Sequence, residues 1–69
     1  MRTKLLMNAM WQEGVTPELA AKRLNISEEA FYRKAFGEEA GFTAEERRKL
    51  SKLLLLSDQE RKYIFEEEA

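Results

Sequence analysis

Residues 16–37 constrain the fold more than any other stretch, because they carry signals for two short helices in quick succession. Thr16 is a good N-cap, and Pro17 follows it at the first helical position, where a missing N–H costs nothing. Asn25 tolerates the left-handed backbone at a helix end, and Ser27 caps the next helix two residues later. A glycine ends that second helix. The stretch therefore predicts two helices joined by a tight polar turn.

Apolar spacing divides the second of these helices into an inward and an outward face. Phe31 and Ala35 are four residues apart and must turn inward together. We expect them to pack on Leu19, Ala20 and Ile26. The outward positions are then Ser27, Glu28, Glu29, Tyr32, Arg33 and Phe36.

The stretch resembles the helix-turn-helix of the Cro/C1-type (XRE-like) family of phage and bacterial regulators, especially its small single-domain phage members. The matching segments are LAAKRL at 19–24, NIS at 25–27 and FYRK at 31–34, closed by Gly37. More loosely, the likeness covers nearly the whole chain. The resemblance implies an all-α, compact five-helix, lambda-repressor-like fold, with one helix-turn-helix DNA-binding domain over residues 1–69.

In such proteins the second helix of the motif lies in the major groove, and its N-terminal half faces the base edges. The base contacts that the resemblance implies are Glu28, Glu29, Tyr32 and Arg33. Arg33 is the most useful of them, since a guanidinium can grip guanine O6 and N7 and contribute ~1–3 kcal/mol of discrimination. The expected phosphate contacts are Lys22, Arg23, Ser27 and Lys34. For the cations, the alternative is a plain solvated surface charge.

The resemblance implies a sequence-specific transcriptional regulator, a phage repressor acting as a homodimer on a double-stranded DNA operator. Glu28 and Glu29 depart from the family's pattern, which commonly has small or amide residues there. Two carboxylates repel phosphates, although they suit the positive end of the helix dipole, and one can accept from cytosine N4. A second hypothesis is therefore an antirepressor- or adaptor-like interaction module with weak or no DNA binding. Its protein-facing patch would be Glu28, Glu29, Tyr32 and Phe36.

The rest of the chain predicts three further helices. Thr3 is the expected cap of the first, which runs to about Glu13 and ends at Gly14. Capping boxes, TAEE at 43–46 and SDQE at 57–60, start the fourth and fifth helices. The fifth is expected to run to about Glu67, and residues 66–68 are interpreted as a frayed, solvated acidic end. Residues 38–42 form the predicted loop.

Large apolar side chains outside the motif supply the remaining core. Trp11 is expected to lie partly buried against the last helix, and Phe42 to anchor its loop. The inward residues of the fourth helix are Leu50, Leu53 and Leu54. The C-terminal helix carries three adjacent large residues, Tyr63, Ile64 and Phe65. Because three such residues cannot share one narrow helical stripe, we expect at least one of them to stay exposed. These three residues are therefore the predicted homodimer contact.

The charges are nearly balanced, with 12 Lys and Arg against 13 Asp and Glu. Residues 1–37 carry a net charge of +2 and residues 38–69 a net charge of −3. This division suits a DNA face opposite a solvated face. The basic cluster of the fourth helix, Arg47, Arg48, Lys49 and Lys52, is interpreted as solvated, because Glu45 and Glu46 can pair with Lys49.

Several classes of function lack the residues they need. The chain has no Cys and no His, which excludes disulfides, thiolate metal sites and imidazole catalysis. No glycine-rich phosphate loop or nucleophile–base pair is present. We therefore expect no enzyme, no metal, no cofactor and no small-molecule ligand. No apolar run approaches the ~18–20 residues of a membrane span, so we expect no membrane partner and a cytoplasmic protein.

Overall fold

A computed structural model of the chain describes residues 1–37 and 41–67. The helices are α1 (Thr3–Glu13), α2 (Pro17–Leu24), α3 (Glu28–Ala35), α4 (Ala44–Leu53) and α5 (Asp58–Phe65). Within those two ranges there is no strand. The all-α class and the five helices in the expected order are confirmed. Residues 38–40 of the predicted loop lie outside the described residues.

Short-range capping sets where four of the helices begin. The hydroxyl of Thr16 accepts the N–H of Leu19 at 3.1 Å, and that of Ser27 accepts the N–H of Ala30 at 3.0 Å. The capping boxes at 43–46 and 57–60 are both complete. These predictions are confirmed because each cap needs only residues within three positions.

The start of α1 differs from the expectation. Thr3 is the first helical residue, and Arg2 occupies the N-cap position without a side-chain cap. The Thr3 hydroxyl donates instead to the carbonyl of Ala35 at the end of α3. The prediction that Thr3 caps α1 is therefore wrong, because its hydroxyl joins two helices that are distant in sequence.

One hydrophobic core joins all five helices. Phe31 is fully buried in this core. The centroid of its ring lies 5.4 Å from that of the Phe42 ring, and the Phe42 centroid lies 6.3 Å from that of the Phe65 ring. Helix α2 packs against α3 and α4, while α5 packs against α1 and α4. The inward orientation of Phe31 and Ala35 is confirmed. Leu19 is an exception to the expected contacts, since it lies at the exposed edge of α2 while Ala20 is buried.

Trp11 is 86% exposed, so the prediction that it packs against the last helix is wrong. Met10 and Leu6 occupy the buried stripe of α1. One helical position rotates a side chain by about 100°, which carries Trp11 away from that stripe and into solvent.

The C-terminal helix uses its large apolar residues within the chain. Ile64 and Phe65 are buried in the core, whereas Tyr63 is exposed beneath the guanidinium of Arg2, 4.2 Å from its ring centre. The expectation that at least one of the three stays exposed is confirmed. The expectation that Ile64 and Phe65 contribute to a dimer contact is corrected, because burial in the monomer removes them from its surface.

The acidic end of the chain is tied down at Glu66 and Glu67. Glu66 lies 3.0 Å from the N-terminal ammonium and 3.2 Å from Arg2. The hydrogen bond from that ammonium, then its charge, lowers the pKa of the Glu66 carboxyl. Glu67 lies 2.7 Å from Arg47 Nε and 3.5 Å from Arg61 Nε. The prediction of a frayed end is wrong for these two residues, although Glu66 is exposed to solvent as expected; residue 68 lies outside the described ranges.

Candidate nucleic-acid interface

Helix α3 presents its outward face to solvent along its whole length. All six positions expected to point outward are exposed, namely Ser27, Glu28, Glu29, Tyr32, Arg33 and Phe36. Five of them, all but Ser27, surround one shallow open depression. The predicted orientation of α3 is therefore confirmed.

The turn before α3 explains why this face stands clear of the core. Asn25 has a left-handed backbone with φ 59°, which ends α2 and starts the turn. Ile26 is half-buried against the core. Ser27 then caps α3, and the buried side chain of Phe31 packs the inner side of the helix into the core. With the inner side fixed in this way, the N-terminal half of α3 faces outward.

Arg33 lies on the outward face and is partnered there. Its guanidinium contacts the carboxylate of Glu29 one helical turn earlier, and the two side chains are 50% and 72% exposed. Exposed pairs at this spacing contribute only about 0.2–0.5 kcal/mol. A stronger bidentate partner, such as a guanine edge, could therefore displace Glu29 at small cost.

Tyr32 and Phe36 form an exposed aromatic surface beside this ion pair. Their rings are stacked, with centroids 6.1 Å apart and planes at 17°. Flat apolar surface of this kind packs well on a thymine methyl group or on an apolar protein side chain.

Lys34 points to the other side of α3. Its Nζ donates to both carboxylate oxygens of Glu46 at 2.9 Å, and the two side chains are 20% and 13% exposed. A phosphate would have to replace this partly buried carboxylate to reach Lys34, and the expected contact of Lys34 with a phosphate stays a prediction. Sequence reasoning missed this pair because its members belong to different helices.

Glu46 is the most constrained carboxylate near this site. Burial by itself would raise its pKa, but hydrogen bonds from the Thr43 N–H and from Lys34 outweigh that effect. The pKa of the Glu46 carboxyl is held below its ordinary value. Glu46 thus closes the capping box of α4 and joins α3 to α4 at once.

The other expected phosphate contacts lie at separate places. Ser27 uses an oxygen lone pair for its cap, which leaves its hydroxyl proton as a donor. Lys22 is exposed and has no ion pair within the described part of the chain. Arg23 lies between α2 and α4, in a groove with Lys49 and Lys52.

That groove was not expected from the sequence. The basic cluster of α4 was visible, but its approach to Arg23 depends on how α2 and α4 pack. The expected pairing of Glu45 with Lys49 is present at 3.8 Å, whereas Glu46 pairs with Lys34 instead.

Residues 1–37 and 41–67 contain no group of three or more His, Cys, Asp and Glu residues that could hold a metal ion. None of their helices has the length and apolar character of a membrane span.

Comparisons of the chain with models of known protein families, with curated proteins and with solved structures found no match.

Proposed function

We propose that the chain is a sequence-specific DNA-binding transcriptional regulator of the phage repressor type, and that α2 and α3 form its helix-turn-helix. The observation that carries this proposal is the exposure of the outward face of α3 while Phe31 and Ala35 anchor the same helix from within. An exposed, capped helix fixed from below matches the way recognition helices enter the major groove, which is about 12 Å wide.

Arg33 and Glu29 are the proposed readers of base pairs. On binding, the guanidinium of Arg33 exchanges Glu29 for the O6 and N7 acceptors of guanine. The released carboxylate of Glu29, or that of Glu28, accepts from a cytosine amino group. Tyr32 supplies apolar contact to a thymine methyl. The exposed Arg33–Glu29 pair supports this exchange, because both groups already lie on the outward face.

Helix α3 and its surroundings make few contacts with the DNA phosphate backbone in this proposal. Lys22 and the hydroxyl of Ser27 remain as phosphate partners beside α3, since Lys34 is held by Glu46. Each neutralised phosphate contributes about −0.9 to the slope of log K against log salt. We therefore expect these contacts beside α3 to contribute only a shallow salt dependence per subunit, and a second subunit on a two-fold operator to add the same contribution again. Of the three α5 residues expected at a subunit contact, Tyr63 is the one that is exposed.

The test is selection of duplexes from a random-sequence pool, followed by anisotropy titration of the selected duplex against a scrambled one. Arg33→Ala should reduce the preference for the selected duplex by about 5- to 150-fold, the range of one bidentate base contact. Lys62→Ala is the matched control, since it removes an exposed positive charge from α5. Failure to enrich any sequence, or equal discrimination by Arg33→Ala and the wild type, would contradict the proposal.

A second candidate is a protein-interaction module on the same fold. The adjacent carboxylates of Glu28 and Glu29 beside the stacked rings of Tyr32 and Phe36 favour it. Under this alternative the wild type shows no sequence preference on DNA. Glu28→Gln combined with Glu29→Gln would then strengthen DNA binding and weaken the protein complex.

A further inference from the structure

A second charged surface lies apart from the outward face of α3. Arg23 of α2 meets Lys49, Lys52 and Leu53 of α4 in one groove, which we call the α2–α4 groove. The three cationic residues are exposed and Leu53 is half-buried. The α2–α4 groove shares no lining residue with the depression on α3, so it constitutes a separate place where a ligand could bind.

The cations of this groove are poorly neutralised. Lys49 has one partner, Glu45, at 3.8 Å across a turn of exposed helix. Arg23 and Lys52 form no ion pair with any residue in 1–37 or 41–67. By contrast, Arg47 on the same helix lies 2.7 Å from the carboxylate of Glu67. In a chain with more acidic than basic residues, this groove retains unbalanced positive charge.

The positive surface also extends beyond a single pocket. Lys52 lines a neighbouring groove as well, together with Arg48 on the same helix. Arg48, Lys49 and Lys52 are three or four positions from one another or adjacent, so their like charges repel along α4. An anion would relieve that repulsion. Cations that line two grooves joined at Lys52 suit a chain of linked phosphates better than one isolated anion.

We propose that the α2–α4 groove binds the phosphodiester backbone of nucleic acid, without reading its sequence. The guanidinium of Arg23 can engage two oxygens of one phosphate, and the lysine ammonium groups act as point charges for its neighbours. The proposal deepens the proposed function and rests on it for the class of ligand, but it does not require α3 to enter the major groove.

The test compares two matched double variants, Lys49→Gln with Lys52→Gln in the groove and Lys4→Gln with Lys62→Gln outside it. All four lysines are exposed, so both variants should fold and both change the net charge equally. Anisotropy titrations with one scrambled duplex across salt concentrations give the slope of log K against log salt. We expect the groove variant to lose up to about 1.8 units of slope, with the same loss of affinity for every duplex sequence. The control should retain both values.

Equal slopes for the groove variant and the wild type would overturn the proposal. Equal losses in both variants would also overturn it, because bulk charge would then explain the binding. Inorganic phosphate, titrated while backbone amide shifts of residues 49–53 are followed by NMR, distinguishes the two sources of phosphate. Saturation by inorganic phosphate at lower concentration than by duplex would overturn the assignment to a nucleic-acid backbone.

Arg33→Ala separates this proposal from the proposed function. If that variant discriminates between duplexes as the wild type does, while the groove variant loses slope, base reading by α3 fails and the groove assignment stands. If Arg33→Ala loses discrimination while the groove variant keeps its slope, base reading by α3 stands and the groove assignment fails.

Discussion

The inward and outward faces of α3 use similar residues for different ends. Phe31 is fully buried among aromatic rings, whereas Phe36, five positions later, is 58% exposed and stacks on Tyr32. Lys34 and Arg33 are neighbours in sequence, and each contacts a carboxylate. The partner of Lys34 is a partly buried residue of α4, while Arg33 contacts an exposed residue of α3 itself.

The difference shows that the location of the partner, more than the type of side chain, decides what a residue does. A side chain that joins two helices is needed for the fold, because releasing it leaves its partly buried partner without a hydrogen bond or a counter-charge. A side chain paired within one exposed helix can exchange that partner for a ligand at small cost. Four predictions test this distinction.

Phe31→Ala should have the largest effect. It removes a fully buried ring from the centre of the core, and such a change costs about 3–5 kcal/mol. A helical core of this size supplies only about 3–5 kcal/mol in total, so the variant should be largely unfolded at 25 °C by circular dichroism. Phe31→Leu retains more volume and should stay folded with a lower melting temperature. A melt of Phe31→Ala close to that of the wild type would refute the central place of Phe31.

Lys34→Met should have the next largest effect. It leaves the partly buried carboxylate of Glu46 without its cation, and we expect a loss of about 1–2 kcal/mol, between the values for exposed and buried pairs. Arg33→Met is the matched variant on the outward face and should cost less than about 0.5 kcal/mol. Urea denaturation measures both. Equal costs would break the distinction between the two faces.

The same ion pair should make stability depend on pH. Because the pKa of Glu46 is lower in the folded chain than its ordinary value of 4.5, the charged carboxylate favours folding. That contribution is present above pH 4.5 and is lost as pH falls through the lower, folded-state pKa. As the pH is lowered through this acidic range, the free energy of unfolding should therefore fall less for Glu46→Gln than for the wild type. Urea midpoints measured at a series of pH values check this. Lys34→Met should share part of that change; an unaltered acid dependence in both variants would count against the pair.

Phe36→Ala should have the smallest effect on the fold. Its ring is exposed and contacts only the neighbouring ring of Tyr32 among the aromatic residues described, so the free energy of unfolding should change by less than about 0.5 kcal/mol. Trp11→Ala, at an even more exposed position on α1, is a companion variant with the same expectation. Circular dichroism melts check both. A loss above about 2 kcal/mol in either would show that the exposed ring supports the core.

Sequence reasoning was most successful where the signal is local. The caps at Thr16 and Ser27, the left-handed Asn25 and the inward positions of Phe31 and Ala35 all follow from residues a few positions apart. It was least successful for long side chains at helix ends and edges. Trp11, for example, directly follows the buried Met10 in the sequence. Whether its side chain is buried or exposed therefore depends on which helices pack against α1.

By itself the sequence determined where α2 to α5 begin and which face of α3 turns outward, because caps and helical periodicity act over three or four residues. Only the tertiary structure decided which charges are committed to the fold. Lys34 meets Glu46 across 12 positions, Arg47 meets Glu67 across 20, and the N-terminus meets Glu66 across 65. Such pairs depend on how helices approach one another, since a long side chain can reach any carboxylate within several ångströms and only packing selects which one lies there.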